Sequence, residues 1–422
     1  MTLAATFLAG AKSRLLPASI PFRFFAAAAI FHFLMWLTLL AGAEQASDFR
    51  GGPGPALAAT HFLTLGVLTM SAIGASVQLL PVATRRAHAA VWPIKLVFWL
   101  AVPGMLAMIA GMYLAQVTAL DAGALLTSIG LAVFAALLAD NLRRAGAIAV
   151  VAAYGWAALA ALIVLVAFGF ALALDYEIAI LGDHRAVALA HVIVGGFGFM
   201  GMLAIGFSHV LVPMFALAAA PAKRAAFAAF FLAASAVTIG AAGALIDSTA
   251  ALASAALIGL CAAALHLWLM HRVLASGMRK RLGLSFVLIR TAWVMLPVTL
   301  LIGIAALYGL AGPNGPTLFG FMLLGGWLLT FLLGILQRIL PFLASMHAGR
   351  PAGGGAPPLI SELAASGLLK IHAACHGSAS ALVASAIAID SAALLRAGAA
   401  IGLIGAVAFG WFTGQVMRRV IW

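Results

Sequence analysis

The residues of this chain that are best able to do chemistry are its histidines. There are 11 of them, against only 10 acidic residues. A neutral imidazole is the commonest metal ligand in proteins, and inside a long apolar segment a histidine needs a ligand or a hydrogen-bonding partner. His61, His191 and His209 stand in such segments, and His372 and His376 are four residues apart, which places them on one helix face. We therefore expect a metal or heme site built from some of these five imidazoles.

Other polar residues are candidates for the same sites. His32 lies in the middle of an apolar segment, and Met322 is a candidate second axial ligand of a heme. Arg338 is expected to bind an anionic group, either a heme propionate or a lipid phosphate. For His372 and His376, a structural hydrogen-bond network is an equally good interpretation. The remaining histidines are expected at interfacial or loop positions without a special role: His88, His184, His266, His271 and His347.

The composition indicates that a lipid bilayer surrounds these candidates. The chain is 65% hydrophobic and only 8% charged, with a mean hydropathy of +1.18, whereas soluble domains are about 25% charged. The formal net charge of +13 would suit nucleic acid, but the basic residues lie between apolar segments instead of forming one patch. We therefore expect the bilayer and no nucleic acid as a partner. Cys261 and Cys375 both lie in apolar segments, so no disulfide framework is expected.

Twelve apolar segments are long enough to cross a bilayer. They cover residues 20–42, 57–83, 91–116, 118–140, 146–173, 186–215, 224–246, 250–274, 284–311, 316–345, 363–390 and 392–419. Basic clusters such as Arg143–Arg144 and Arg279–Arg281 fall in alternate loops, and most acids fall in the others. By the positive-inside rule, this predicts a single membrane domain over 1–422 with both termini in the cytoplasm. The Gly- and Pro-rich stretch 346–362 is predicted to be a flexible cytoplasmic loop.

The second, sixth and tenth segments end in a common pattern. They read GASVQLLP, GFSHVLVP and GILQRILP, closing at Pro81, Pro213 and Pro341, and each has a Gly seven residues before the Pro. The Gly allows a neighbouring helix to approach closely, and the Pro is expected to end the helix. The two intervals between these prolines are nearly equal, and each is slightly less than one third of the chain. The chain is therefore predicted to be an all-α integral membrane protein with twelve helices in three pseudo-symmetric four-helix arcs.

The second and sixth segments resemble the metal-bearing helices of the heme-copper oxidase catalytic subunit. His61 begins the stretch HFLTLGVLTMSAIGASVQLLP, which Pro81 closes, and His191 begins the slightly longer stretch HVIVGGFGFMGMLAIGFSHVLVP, which Pro213 closes. In size and span number the chain is also similar to the NnrS-type proteins, a bacterial group linked to heme and nitric oxide tolerance. The resemblance implies a non-covalent b-type heme or copper held by His61 and His191, redox or diatomic-gas chemistry, an electron-donor subunit or cytochrome, and the bacterial inner membrane.

The chain departs from the oxidases at two of its segments. The seventh, KRAAFAAFFLAASAVTIGAAGALI, contains no histidine, and the tenth has Phe319 and Phe321 where metal ligands would stand. Oxygen reduction at a histidine-ligated copper is therefore not predicted, and the sequence does not decide whether the chain is an enzyme. The alternatives are a transporter or assembly factor for heme, copper or a hydrophobic small molecule, and a non-catalytic membrane subunit.

Overall fold

A computed structural model of the chain describes residues 14–47, 49–84, 90–145, 148–347, 363 and 365–421. Within these ranges the chain is helical almost throughout and contains no strand. Twelve of the helices in the described part are long and apolar enough to cross a membrane. The prediction of an all-α protein with twelve spans is therefore confirmed.

We number these helices α1 to α12. Their apolar spans are Ser19–Ala41, Pro55–Val82, Trp92–Leu114, Val117–Arg143, Ala149–Ile178, His184–Ala216, Lys223–Leu245, Thr249–Ser276, Leu284–Leu307, Gly315–His347, Ser366–Ile389 and Ala392–Arg419. The first two residues of the predicted loop 346–362 belong to α10, which runs to His347, and residues 348–362 lie outside the described ranges.

One set of helix contacts occurs three times in the bundle. In each of the arcs α1–α4, α5–α8 and α9–α12, the first helix packs on the second, the third pairs with the fourth, and the second also contacts the fourth. The arcs are joined by α4 against α5, α8 against α9, and α12 against α1, which closes a ring. This repetition is the three-arc arrangement that the Gly and Pro spacing predicts.

Helices α2, α6 and α10 each contain an eight-residue π-helical segment. The segments are Phe62–Thr69, Val194–Gly201 and Met322–Leu329, and they are separated by the same intervals as the repeated prolines. The π segment of α10 contacts those of α2 and α6. The three irregular segments therefore meet inside the bundle, and π-helical turns are frequent at functional sites.

The repeated glycines allow the first helix of each arc to approach the second. A Cβ atom on Gly74, Gly206 or Gly334 would lie 3.1, 2.7 or 2.8 Å from the nearest atom of α1, α5 or α9, respectively. The first two nearest atoms are side-chain Cβ atoms and the third is a backbone oxygen. These contacts are too close for any larger residue to fit without a shift of the helices.

The prediction that the repeated prolines end their helices is wrong. Helical structure continues for three residues beyond Pro81 and Pro213 and for six residues beyond Pro341. A proline has no N–H, so the carbonyl four residues earlier, that of His209 in α6 and of Gln337 in α10, loses its helical donor. Because only one hydrogen bond is lost close to the end of each helix, the helix can continue through the proline.

Candidate histidine sites

His61 and His191 lie on two inner helices, near the end of the bundle that holds most of the acidic residues. We call this the acidic end, and the opposite end, where Arg143 and Lys223 lie, the basic end. His61 directly precedes the π segment of α2, and His191 lies three residues before the π segment of α6. Their imidazoles are near enough to interact electrostatically. The fold thus brings together the two histidines that the family resemblance singles out.

The orientation of His61 leaves one ring nitrogen available to a ligand. Its Nδ1 lies 2.9 Å from the backbone carbonyl oxygen of Leu57. A carbonyl can only accept, so Nδ1 carries the hydrogen and the lone pair is on Nε2. Histidines that bind metals commonly donate their other ring N–H to a backbone carbonyl in this way.

His191 occupies a close-fitting position against α5. A Cβ atom on Gly169 would lie 3.0 Å from the His191 Cε1 atom. The Nδ1 atom of His191 is buried without a partner. In the third arc, Phe319 is the equivalent residue, three residues before the π segment of α10, and it lies equally close to Gly303 of α9. A phenyl ring therefore stands in α10 at the position that His191 has in α6.

Side chains around this pair are more exposed than those deeper in α2 and α6. Residues 60–62, 186–189 and 317–322 are half-buried, whereas residues 66–74 and 208–216 are fully buried. In all three inner helices, these half-buried residues lie near the acidic end. The two imidazoles are therefore at positions that a ligand can reach.

Two other candidates at the acidic end have local partners. His184 Nδ1 lies 2.7 Å from Asp175 Oδ2, so it is held by a carboxylate at the end of α5. The Met322 Cε atom would lie 3.2 Å from a Cβ atom on Gly326, one turn further along α10. Neither contact points to a metal.

A second group of histidines fills the junction between the third and first arcs. His32 of α1 and His372 and His376 of α11 are 1%, 0% and 3% exposed. The ring centroids of His32 and His372 are 6.1 Å apart, as are those of His372 and His376. Trp36 Nε1 donates to His32 Nε2 at 3.1 Å, so the hydrogen of neutral His32 is on Nδ1.

Hydrogen bonds connect this group to α10. Thr330 Oγ1 donates to the Gly325 carbonyl at 3.0 Å and lies 2.8 Å from His376 Nε2. The imidazole must then be the donor, which leaves the His376 lone pair on Nδ1. Gln337 Nε2 donates to His372 Nδ1 at 3.3 Å. The hydrogen-bond network that was one interpretation of His372 and His376 is therefore present.

A third group lies at the junction between the second and third arcs. His209 of α6 and His266 of α8 are buried, with ring centroids 5.5 Å apart. Tyr154 of α5 lies 5.5 Å from His209, and Trp293 of α9 lies 6.4 Å from His266. The prediction of no special position for His266 is wrong, since α8 turns this residue inward. It lies on one helical face with the buried residues Ala262 and Met270.

Of the histidines that the structure describes, His271 and His347 belong to none of these groups. His271 is exposed at the basic end. His347 is bound on both ring nitrogens, to the carbonyl oxygens of Leu343 and Leu16 at 2.8 and 2.9 Å. His88 lies outside the described residues.

Contacts with residues at the start of α9 and with two phenyl rings hold the Arg338 side chain at the basic end of the bundle. Its Nε donates to Ser285 Oγ at 2.9 Å, a terminal nitrogen donates to the Leu282 carbonyl, and the guanidinium lies 5.9 and 5.8 Å from the ring centroids of Phe215 and Phe286. Arg338 is between four and five helical turns along α10 from the level of His61, which is about 25 Å of helix. It is therefore too distant to bind a propionate of a heme held by His61 and His191, and the structure gives it a role in anchoring α9.

The described part of the chain contains no group of three or more His, Cys, Asp or Glu residues arranged to hold a metal ion. The chain matches no protein-family model, and its sequence matches no curated protein. The case for a function therefore depends on the pairs of histidines and their surroundings.

Proposed function

We propose that this polytopic membrane protein binds a non-covalent b-type heme and that His61 and His191 hold it. The observation that carries the proposal is the pairing of these two half-buried imidazoles on inner helices, each beside a π segment. Two histidines are sufficient for a heme, since the porphyrin supplies the other four ligands of the iron. The absence of a larger cluster in the described residues is therefore compatible with the proposal.

The surroundings of the two histidines fit this role. The Leu57 carbonyl orients His61 and leaves its Nε2 lone pair available. Gly169 gives the ring of His191 room against α5, and the buried Nδ1 of His191 has no partner among the residues that the structure describes. A buried polar atom without a partner costs about 1–3 kcal/mol, and ligation in this region would compensate for part of that cost.

The heme would supply electron transfer or the binding of a diatomic gas such as nitric oxide. The protein would contribute ligation, orientation and an apolar environment that admits neutral gases more readily than ions. In this proposal the chain is a divergent relative of the heme-copper oxidases, and an electron-donor subunit or cytochrome supplies it. The ring of three four-helix arcs with inner helices α2, α6 and α10 supports that kinship.

An absorption spectrum tests the heme proposal. The full-length protein is expressed with heme supplementation and purified in detergent, and heme is counted per chain. We expect a Soret band with reducible α-bands in the wild type, at least a tenfold lower heme content in His61→Ala and in His191→Ala, and an unchanged content in His271→Ala, which alters an exposed histidine. A colourless wild type, or full heme content in both single variants, would refute the assignment.

We also propose that the chain lies in a bacterial inner membrane with both termini in the cytoplasm. The support is the position of the basic residues, because Arg143, Arg144 and Lys223 all follow or precede helices at one end of the bundle. Reporter fusions test this orientation. A cytoplasmic reporter on the C-terminus should be active and a periplasmic reporter inactive, and the opposite pattern would show that the orientation is reversed.

A further inference from the structure

Five buried polar atoms at the junction between the second and third arcs have no hydrogen-bonding partner among the described residues. These are the Tyr154 hydroxyl, both ring nitrogens of His209, Nδ1 of His266 and Nε1 of Trp293. All four side chains are at least nine-tenths buried. Most buried polar groups in proteins have a hydrogen-bonding partner, and each exception costs about 1–3 kcal/mol. The Trp293 N–H can only donate, but the other four atoms belong to groups that can offer a lone pair. These four atoms point to a bound cation.

At the corresponding junction between the third and first arcs, a neighbouring donor fixes one ring nitrogen of His32 and one of His372, and only their other ring nitrogens lack a partner among the described residues. There Trp36 donates to His32, and Gln337 donates to His372. At the second junction, Trp293 makes no such bond to His266. The tautomers of His209 and His266 are consequently not fixed by a neighbouring donor, and either imidazole can present a lone pair.

The spacing of the two imidazoles suits a single metal ion. A nitrogen–metal bond of about 2.0–2.1 Å places each ring centroid about 3.2 Å from the ion, so two rings at a trigonal angle have centroids about 5.5 Å apart. The His209 and His266 centroids are 5.5 Å apart. The His32–His372 and His372–His376 centroid pairs are each 6.1 Å apart, which corresponds to a wider angle of about 145° for the same bond length.

The side chains at this junction determine which ion they can bind. The four side chains supply imidazole nitrogens and a phenol but no carboxylate or thiolate, and imidazoles without oxygen anions suit copper or zinc more than magnesium or calcium. Burying an uncompensated charge is expensive and becomes more so as the charge rises. A monovalent ion is therefore favoured over a divalent one. We propose that His209 and His266 bind a single Cu(I) ion between α6 and α8, with the Tyr154 hydroxyl as a third contact.

The pseudo-symmetry of the fold supplies matched substitutions. Gln337 stands in α10 where His209 stands in α6, since each lies four residues before the repeated proline of its helix. Phe134 in α4 and Phe409 in α12 stand at the same distance from the start of their helices as His266 does in α8. The substitutions His209→Gln and His266→Phe therefore introduce side chains that this fold already accommodates at the equivalent positions.

The test is an anaerobic titration of the purified full-length protein with Cu(I) in competition with a chromophoric Cu(I) chelator. We expect one Cu(I) per chain in the wild type, loss of this stoichiometric binding in His209→Gln and in His266→Phe, and retention in His271→Ala. Gel filtration and thermal unfolding show whether each variant is folded. The His61→Ala variant should lose heme and keep Cu(I), so that failure of the heme proposal and failure of the copper proposal can be distinguished.

Two results would overturn the copper site. The first is a wild-type protein that binds no Cu(I) at stoichiometric concentration. The second is a pair of folded variants, His209→Gln and His266→Phe, that bind Cu(I) as tightly as the wild type, which would place the ion elsewhere.

Discussion

Replacement of Gly206 by alanine tests the packing that creates the three arcs. The added Cβ atom would lie 2.7 Å from the Cβ atom of Tyr154 in α5. The backbone fixes the position of a Cβ atom, so rotation of the Tyr154 side chain, which has only 1% exposure, cannot relieve this contact. Restoring a separation of 3.4 Å requires α5 and α6 to move apart by about 0.7 Å.

The expected free energy follows from two opposing effects. Overpacking by one methyl group in a tightly packed interior costs about 1–3 kcal/mol. Replacing glycine by alanine within a helix stabilises it by at most about 1 kcal/mol. Gly410 in α12 has nothing within 4 Å of the position that an added methyl group would take, so Gly410→Ala should show only the favourable effect. The two variants should therefore differ in unfolding free energy by about 1–3 kcal/mol, with Gly206→Ala the less stable.

Equilibrium unfolding in mixed detergent micelles measures this difference directly. The other two repeated glycines provide a gradation, because Gly334→Ala would bring a Cβ atom to 2.8 Å from a backbone oxygen, while Gly74→Ala leaves 3.1 Å to a side chain. We expect Gly206→Ala and Gly334→Ala to be the least stable, Gly74→Ala to be intermediate and Gly410→Ala to be the most stable. If Gly206→Ala is as stable as Gly410→Ala, the close contact between the first two helices of the second arc is not present.

Two further predictions concern buried hydrogen bonds. Thr330→Val removes the acceptor of His376 and should destabilise the protein by about 0.6–2 kcal/mol. The control Thr413→Val loses only a bond within its own helix and should cost less in the same unfolding assay. Equal losses of stability would contradict the hydrogen bond between α10 and α11. Asn314 donates to the Ile387 carbonyl at 2.9 Å and joins the start of α10 to the end of α11, so Asn314→Ala should lower stability by about 1–3 kcal/mol and increase hydrogen exchange at the acidic end of α11. Unchanged exchange there would exclude this role.

The sequence by itself determined the twelve apolar spans and the triplication. Hydropathy is a local property that can be averaged along the chain, and the Gly and Pro pattern at Pro81, Pro213 and Pro341 recurs at intervals that match the π segments of the structure. It also identified the two inner histidines, because His61 and His191 precede two of those prolines by similar distances.

Only the tertiary structure decided which buried polar groups meet. Tyr154, His209 and His266 stand on three different helices and are far apart in the sequence, yet the fold puts the rings of Tyr154 and His266 each 5.5 Å from that of His209. The physical reason is that lipid and protein interior are both apolar, so a transmembrane helix that is hydrophobic on all sides carries little sign of which face turns inward. The inward face of each helix, and with it the set of histidines that share a pocket, is selected by the close packing of neighbouring helices.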